Sequence, residues 1–348
     1  MKNHQLPRHI RVSGYRGGHV QGIAVDRARE FMYFSFTTTL VKTDMSGRVI
    51  GSVGGLAGHL GCIAYREEDG RVWGSLEYKH DSIGKEILNR IEREEDVRDG
   101  FYIVMFDVDK IDRIDMDAES DGIMRAVYLR EVCEDYAAEG HRYGCSGIDG
   151  VTFAPAPGVT NGAQDLYVAY GIYGDTSRRD NDHQVLLRYH ADALLRYAAP
   201  LDQNNMHNEG PTHPDGKYFV YTGNTCYGIQ NLEYDAARGH MMAAVYRGEK
   251  PQFPNYAMYF IDCTRPPVRV PLAGLDEEGD TLCLADFGER DESSGIRGSN
   301  FPLGATGMIA LGDGLYYFSK KFRDDDGHGS DVYLYEENEG AVGGLTPI

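Results

Sequence analysis

The chain has no run of apolar residues long enough to cross a bilayer, and its opening, Met1-Lys-Asn-His-Gln-Leu-Pro-Arg8, lacks the apolar stretch of a secretory signal. Those two absences predict a soluble protein of the cytoplasm. Positive charge is scarce: 35 Lys and Arg face 54 Asp and Glu, a formal net charge of -19. Such a chain repels phosphate backbones and acidic lipid surfaces, so neither nucleic acid nor membrane is expected as a partner. The acid is spread over turn tips such as Glu67-Glu-Asp69, Asp324-Asp-Asp326 and Glu336-Glu337, the pattern of a solvated surface. The six cysteines (62, 133, 145, 226, 263, 283) show no CxxC pair and no metal-ligand spacing, so no disulfide framework is expected. HExxH, P-loop and dinucleotide fingerprints are missing, and Gly144-Cys-Ser-Gly147 is not the GxSxG elbow of a hydrolase.

What is present is a phrase repeated five times: a Gly-bearing apolar strand, a tight turn, and a second strand rich in aromatics and small residues. It runs His19–Asp26 with Phe31–Ser35, His59–Tyr65 with Val72–Glu77, and Gly147–Phe153 with Asp165–Ala169. It returns as Gly228–Tyr234 with His240–Val245, and as Ala305–Leu311 with Gly314–Ser319. Strand-and-turn units recurring every 40 residues or more are the pattern of propeller blades. The predicted fold is all-β: one five-bladed β-propeller over residues 1–348, with blades near 19–55, 59–131, 147–221, 228–287 and 305–338.

Third strands follow at Leu40–Asp44, Phe101–Asp107, Gln184–His190, Ala257–Cys263 and Asp331–Tyr335. Outer strands follow at Arg48–Val53, Arg125–Arg130, Lys217–Tyr221 and Thr281–Asp286. Blade five is then one strand short, and His9-Ile-Arg-Val-Ser-Gly14 has no blade. Setting residues 9–14 as the outer strand of blade five closes the ring and covers an edge that would otherwise be open. One insertion departs from β structure. Ser82–Glu94 in blade two spaces Ile83, Ile87, Leu88 and Ile91 as an amphipathic helix, expected to pack as a lid.

In this strand order the second-to-third and outer-to-next-inner connections emerge on one face of the ring. Most long connections fall there, at 79–100, 132–146, 172–182, 247–254, 287–303 and 320–329, so that face is expected to carry the site. The inner strands bring His19, Gln21, His59, Asp149 and Gln230 to its channel mouth. The second strands bring Thr37, Glu77, Lys79, Tyr173, Arg247, Lys320 and Lys321. The converging cations would hold a phosphate or carboxylate. Asp149 and Glu77 would serve as a pair of carboxyls, one to protonate a leaving oxygen and one to activate water or attack. His19 and His59 would act as base, or hold a divalent metal such as calcium or zinc together with Asp149. Asp324-Asp-Asp-Gly-His-Gly-Ser-Asp331 departs from the calcium-loop spacing and reads as a solvated hairpin turn.

The repeat organisation resembles the five-bladed propeller group that includes furanosidases, calcium-dependent apyrases and tachylectin-like lectins. Furanosidases of this shape place acids on blades one, three and four, and the matching positions here are Gln21, Asp149 and Gln230. The divergence among the five repeats favours a single central site. The expected function is an enzyme, of hydrolase or lyase type, acting on a small anionic carbohydrate or phosphorylated metabolite. Asp149, Glu77, His19 and His59 would do the chemistry, and Gln21, Lys79, Tyr173, Tyr227, Gln230, Arg247 and Lys320 would hold the ligand. The alternative is a non-catalytic small-ligand or glycan-binding propeller, using the same cations with Tyr173, Tyr227 and Tyr246.

Overall fold

The computed structural model describes residues 6–26, 28–90, 98–338 and 340–348. Its strands follow from short alternating or continuously apolar runs cut by turn residues. β1 (His9–Tyr15) stands apart at the start, and blade one is β2 (Val20–Val25), β3 (Phe31–Phe36), β4 (Thr39–Asp44) and β5 (Val49–Gly54). Blade two is β6 (His59–Arg66), β7 (Arg71–Tyr78), β8 (Gly100–Phe106) and β10 (Met124–Tyr128); the two-residue β9 (Met116–Asp117) crosses back to lie parallel to β5. Blade three is β11 (Cys145–Ala154), β12 (Asp165–Ile172), β13 (His183–Tyr189) and β14 (Gly216–Tyr221). Blade four is β15 (Thr225–Asp235), β16 (His240–Arg247) and β17 (Met258–Asp262).

The chain then makes two hairpins, β18 (Val268–Pro271) with β19 (Glu278–Thr281) and β20 (Glu289–Arg290) with β21 (Arg297–Gly298). Blade five is β22 (Met308–Gly312), β23 (Leu315–Asp324) and β24 (Gly327–Glu337), with the short β25 (Leu345–Pro347) at its edge. The innermost strands β2, β6, β11, β15 and β22 touch in that order, and β22 meets β2, so the ring is closed. The protein is a five-bladed β-propeller.

β1 pairs antiparallel with β24, His9 opposite Tyr333 and Val12 opposite Ser330, as the closure argument requires. Ile10 and Val12 are buried there, and Arg11 forks onto Asp331 at 3.0 Å through both carboxyl oxygens. Removing residues 1–15 strips two buried apolar side chains, about 1.5–3 kcal/mol each, and bares the β24 edge. We expect the truncated chain to melt about 10 °C lower and to aggregate with rising concentration, as calorimetry and light scattering would show.

Three features differ from the sequence expectation. Blade four has no full outer strand at Thr281–Asp286. Thr281 ends β19, which pairs parallel with β14 of blade three, and of the expected strand residues 283–285 lie along β17, through Asp262 N–H to Cys283 O (2.9 Å) and Ala285 N–H to Phe260 O (2.7 Å). The cause is the Pro266-Pro267 pair and Pro271, which cannot donate to a ladder and carry the chain across to the neighbouring blade. Second, the connection after β10 begins as a helix, α2 (Arg130–Ala137), because Val132 and Tyr136 fall four residues apart and both reach the core. Third, the opposite face is less bare than expected, since the connection from β13 to β14 is long and contains the four-residue helix α3 (Ala191–Leu194). The predicted insertion is the helix α1 (Ser82–Arg90); its expected continuation to Glu94, with Ile91, falls outside the described residues. All six cysteines are free. No described helix is long and apolar enough to cross a membrane.

Candidate functional site

Four of the five inner strands are interrupted at the same place on the way to the channel mouth. In β2 the register jumps from Val20–Phe36 to Gly22–Ser35, leaving Gln21 as an extra residue. In β11 the jump lies between Ile148 and Val151, in β15 between Ile229 and Asn231, and in β6 between Leu60 and Ile63. These β-bulges turn the extra residue out of the ladder and into the channel, and those residues are Gln21, Asp149, Gln230 and, in blade two, Gly61. Gly61 is itself informative, because a Cβ there would stand 2.5 Å from Asp149 Oδ1. Blade two gives up its side chain to make room for the carboxyl of blade three. A Cβ on Gly147, whose φ is +129°, would likewise stand 2.0 Å from Glu77 Oε2.

The result is a cavity of about 260 Å³ lined by His19, Gln21, Thr37, His59, Glu77, Lys79, Ser146, Asp149, Gly171, Tyr227, Gln230 and Tyr246. Glu86 and Ile87 of α1 form part of its wall. The helix is fixed over the opening by Asp81, whose Oδ1 accepts the Gly84 N–H at 2.9 Å and caps its first turn. Ile87 is buried, so the lid expected from the apolar stripe is seated on the site itself.

Glu77 is bound through both oxygens. Oε1 meets Lys79 Nζ at 2.6 Å, and Oε2 accepts the Ile148 N–H at 3.0 Å. Lys79 also donates to the Ser146 carbonyl at 3.0 Å and stands 3.7 Å from Asp81. Burial alone would lower the Lys79 pKa, but the Glu77 and Asp81 carboxylates outweigh it and hold the ammonium charged. Burial raises the Glu77 pKa, with Lys79 and the Ile148 amide opposing part of that rise, and the 2.6 Å contact makes Glu77 the partner of Lys79 in a buried ion pair. Asp149 differs. Its Oδ2 accepts from Gln230 Nε2 at 3.1 Å and no described lysine or arginine lies within ion-pair distance, so burial, reinforced by the Glu77 charge, raises its pKa well above the carboxylate range.

Between the two carboxyls lies His59. Its Nδ1 is 3.6 Å from Glu77 Oε1 and 3.8 Å from Asp149 Oδ1, too far for a hydrogen bond to either. The nitrogen is buried and makes no hydrogen bond. Burial, with Lys79 and then His19 nearby, lowers the His59 pKa to about 3, so the imidazole is neutral. An enclosed ring nitrogen between two carboxyl oxygens marks a place for a hydroxyl or a water. Gln21, donating to Thr37 Oγ1 at 3.1 Å, completes a wall of amide and hydroxyl groups.

Eight of the eleven predicted site residues therefore line one cavity: Asp149, Glu77, His19, His59, Gln21, Lys79, Tyr227 and Gln230. Three do not. Arg247 is exposed and donates through Nε to the Asn255 carbonyl at 2.7 Å. Lys320 is exposed on β23, opposite Asp331, and strand alternation gives the mouth to Lys321 instead, whose Nζ reaches Tyr246 Oη at 3.4 Å. Tyr173 stands behind the wall, its ring 5.2 Å from His141 and its hydroxyl bonded to Tyr136. The converging cations thus reduce to Lys79, already paired, with Lys321 at the rim. Among the described residues no three His, Cys, Asp or Glu side chains, the expected His19, His59 and Asp149 included, are gathered to hold a metal ion.

Ser146, Gly171, Glu86 and Ile87 complete the cavity without having been expected. Glu86 and Ile87 could have been found from the helical stripe, since Ile87 belongs to it. Ser146 presents its carbonyl, for which a sequence carries no signal.

No protein-family model matches the chain, nor does any curated protein. Three solved structures are similar to it over most of its length. The holo form of the pyranose dehydrogenase PQQ domain from Coprinopsis cinerea is 12% identical, covering 90% of this chain and 81% of that one, with a TM-score of 0.37. The Dos1 propeller is 10% identical, covering 91% and 78%, with a TM-score of 0.35. The Cps50 (Swd1) β-propeller domain of Myceliophteria thermophila is 10% identical, covering 93% and 99%, with a TM-score of 0.35.

Proposed function

We propose that the chain is an enzyme acting on a small carbohydrate inside the lidded channel mouth, a hydrolase or lyase in which Asp149 gives its proton to the departing oxygen. The observation that carries this reading is the Asp149 carboxyl, enclosed, held by Gln230 and with no described lysine or arginine within ion-pair distance. A carboxyl in that setting keeps a proton at pH values where an ordinary aspartate has lost it, which is what a general acid requires. Glu77 supplies the negative charge that a developing oxocarbenium ion needs nearby, and its ion pair with Lys79 keeps it from taking the proton. His59 Nδ1 is the partner for a ligand hydroxyl, while Gln21, Thr37 and Gln230 supply further donors and acceptors. Tyr227, left-handed at φ 63° and exposed at the mouth, offers a ring face for a sugar to stack on. An anionic group on the substrate would point to the rim, toward Lys321.

A second reading, a non-catalytic propeller that senses the same ligand, draws on one observation. Both Glu77 oxygens are occupied, which leaves Asp149 as the member of the Glu77–Asp149 pair able to exchange a proton. A panel of aryl furanosides, aryl pyranosides and their phosphorylated forms separates the two. The enzyme reading expects chromophore release from at least one member. Recovery of a tightly bound member intact after long incubation would favour the sensor.

A further inference from the structure

The channel does not run clear through the ring. Asn231, buried at its centre, donates to the carbonyls of Gln21 (2.7 Å) and Ala305 (3.0 Å) and accepts from the Cys62 thiol (3.3 Å). One amide thus ties four blades together and plugs the pore. Beyond the plug, where the turns between first and second strands gather, lies a second cavity of about 330 Å³. Asp26, Arg29, Tyr65, Glu67 and Glu233 are in its wall. Glu233 stands two residues past Asn231 on β15, so strand alternation points both into the channel.

One oxygen of Glu233 accepts the Ala310 N–H at 2.9 Å, linking blade four to blade five. The other has no hydrogen-bond partner among the described residues, and no described cation lies within ion-pair distance. Arg29, the cation in this wall, gives its guanidinium to the Leu311 carbonyl. Burial pushes the Glu233 carboxyl up to about 8. Stapling to Ala310 needs only an acceptor, and glutamine would supply one without enclosing an ionisable group. The carboxyl therefore serves something else. Asp26 is already engaged, its oxygens accepting the N–H groups of Glu30 and Phe31 at 2.9 and 3.2 Å. Among the described residues no three His, Cys, Asp or Glu side chains are gathered here to hold a divalent metal. A primary ammonium needs less: one carboxylate oxygen, strand-end carbonyls and an aromatic face such as Tyr65.

We propose that this far mouth is a second binding site, for a small organic cation bearing a primary ammonium group held by Glu233. The proposal does not depend on the reading of the lidded mouth. Calorimetric titration of the full chain with n-propylammonium chloride, run at about pH 9 so that the raised Glu233 carboxyl is ionised while the amine keeps its proton, tests it. Saturable binding is expected, weakened about ten-fold or more in Glu233→Gln, which keeps the Ala310 contact but loses the charge-assisted bond. Asp149→Asn, on the other side of the plug, is expected to bind as the parent does. Arg29→Ala should bind equally or more tightly, because it removes a neighbouring positive charge and spares the carboxyl. The proposal is overturned by an absence of saturable binding or by equal affinity in Glu233→Gln. Equal affinity for tetramethylammonium, which has no N–H to donate, would overturn it too, as would tighter binding of calcium than of the amine.

Discussion

Asp149→Asn should lower turnover of a responsive glycoside by about 10²–10⁴-fold, the usual contribution of a positioned general acid, and leave ligand affinity nearly unchanged. The amide is isosteric, can still accept from Gln230, and fits the space that Gly61 leaves open. The same substitution should also change the pH dependence of stability in a fixed direction. In the folded protein Asp149 holds its proton above the pH at which the unfolded chain releases it. The native state then binds more protons than the unfolded state, so stability falls as pH rises between the ordinary and the raised value. The asparagine variant lacks that slope and should be the more stable protein at neutral and alkaline pH. Denaturant unfolding at several pH values reads this out. A variant that loses activity because it has lost its fold would show the opposite trend.

The second large effect concerns Lys79. Replacing it with Met keeps the stem's volume but leaves the Glu77 carboxylate enclosed without its cation, and removing one partner of a buried pair costs about 3–5 kcal/mol. A fall in melting temperature of about 10 °C or more is expected. The Glu77 pKa, already raised by burial, rises further, so the deficit grows with pH above the ordinary carboxylate range and shrinks in acid. The double variant Lys79→Met, Glu77→Gln should recover most of the loss, since no uncompensated charge remains. If the double variant is no more stable than Lys79→Met alone, Lys79 acts through packing and the ion pair is not what organises the site.

The ring and its closure were legible because a blade is a local pattern. Alternation, Gly-bearing turns and the unpaired segment 9–14 are all read within a few residues, and the strand count then forces β1 onto β24. The outer edge of blade four was not legible, because its fate depends on which neighbour a Pro-interrupted hairpin reaches, a three-dimensional matter. The central polar residues were found through equivalence of position. Gln21, Asp149 and Gln230 stand at one point of the repeated phrase, and that point proved to be a β-bulge in each blade. The rim cations were misjudged for the converse reason. β23 runs on past its expected end to Asp324, so the adjacent Lys320 and Lys321 face opposite sides of the sheet and only Lys321 reaches the mouth. Charge pairing was also invisible: Lys79 and Glu77 are two residues apart, but only the fold shows that the ammonium is spent on that carboxylate rather than kept for a ligand.

The account rests on Asp149 being the proton-bearing carboxyl beside an ionised Glu77. Carbon-13 titration of the aspartate side-chain carboxyls, with the Asp149 resonance identified by its loss in Asp149→Asn, measures this directly. The carboxyl is predicted to titrate clearly above the ordinary aspartate range, and to move toward that range when Glu77 is replaced by Gln. An Asp149 resonance titrating at the ordinary aspartate value, indifferent to Glu77, would contradict the account.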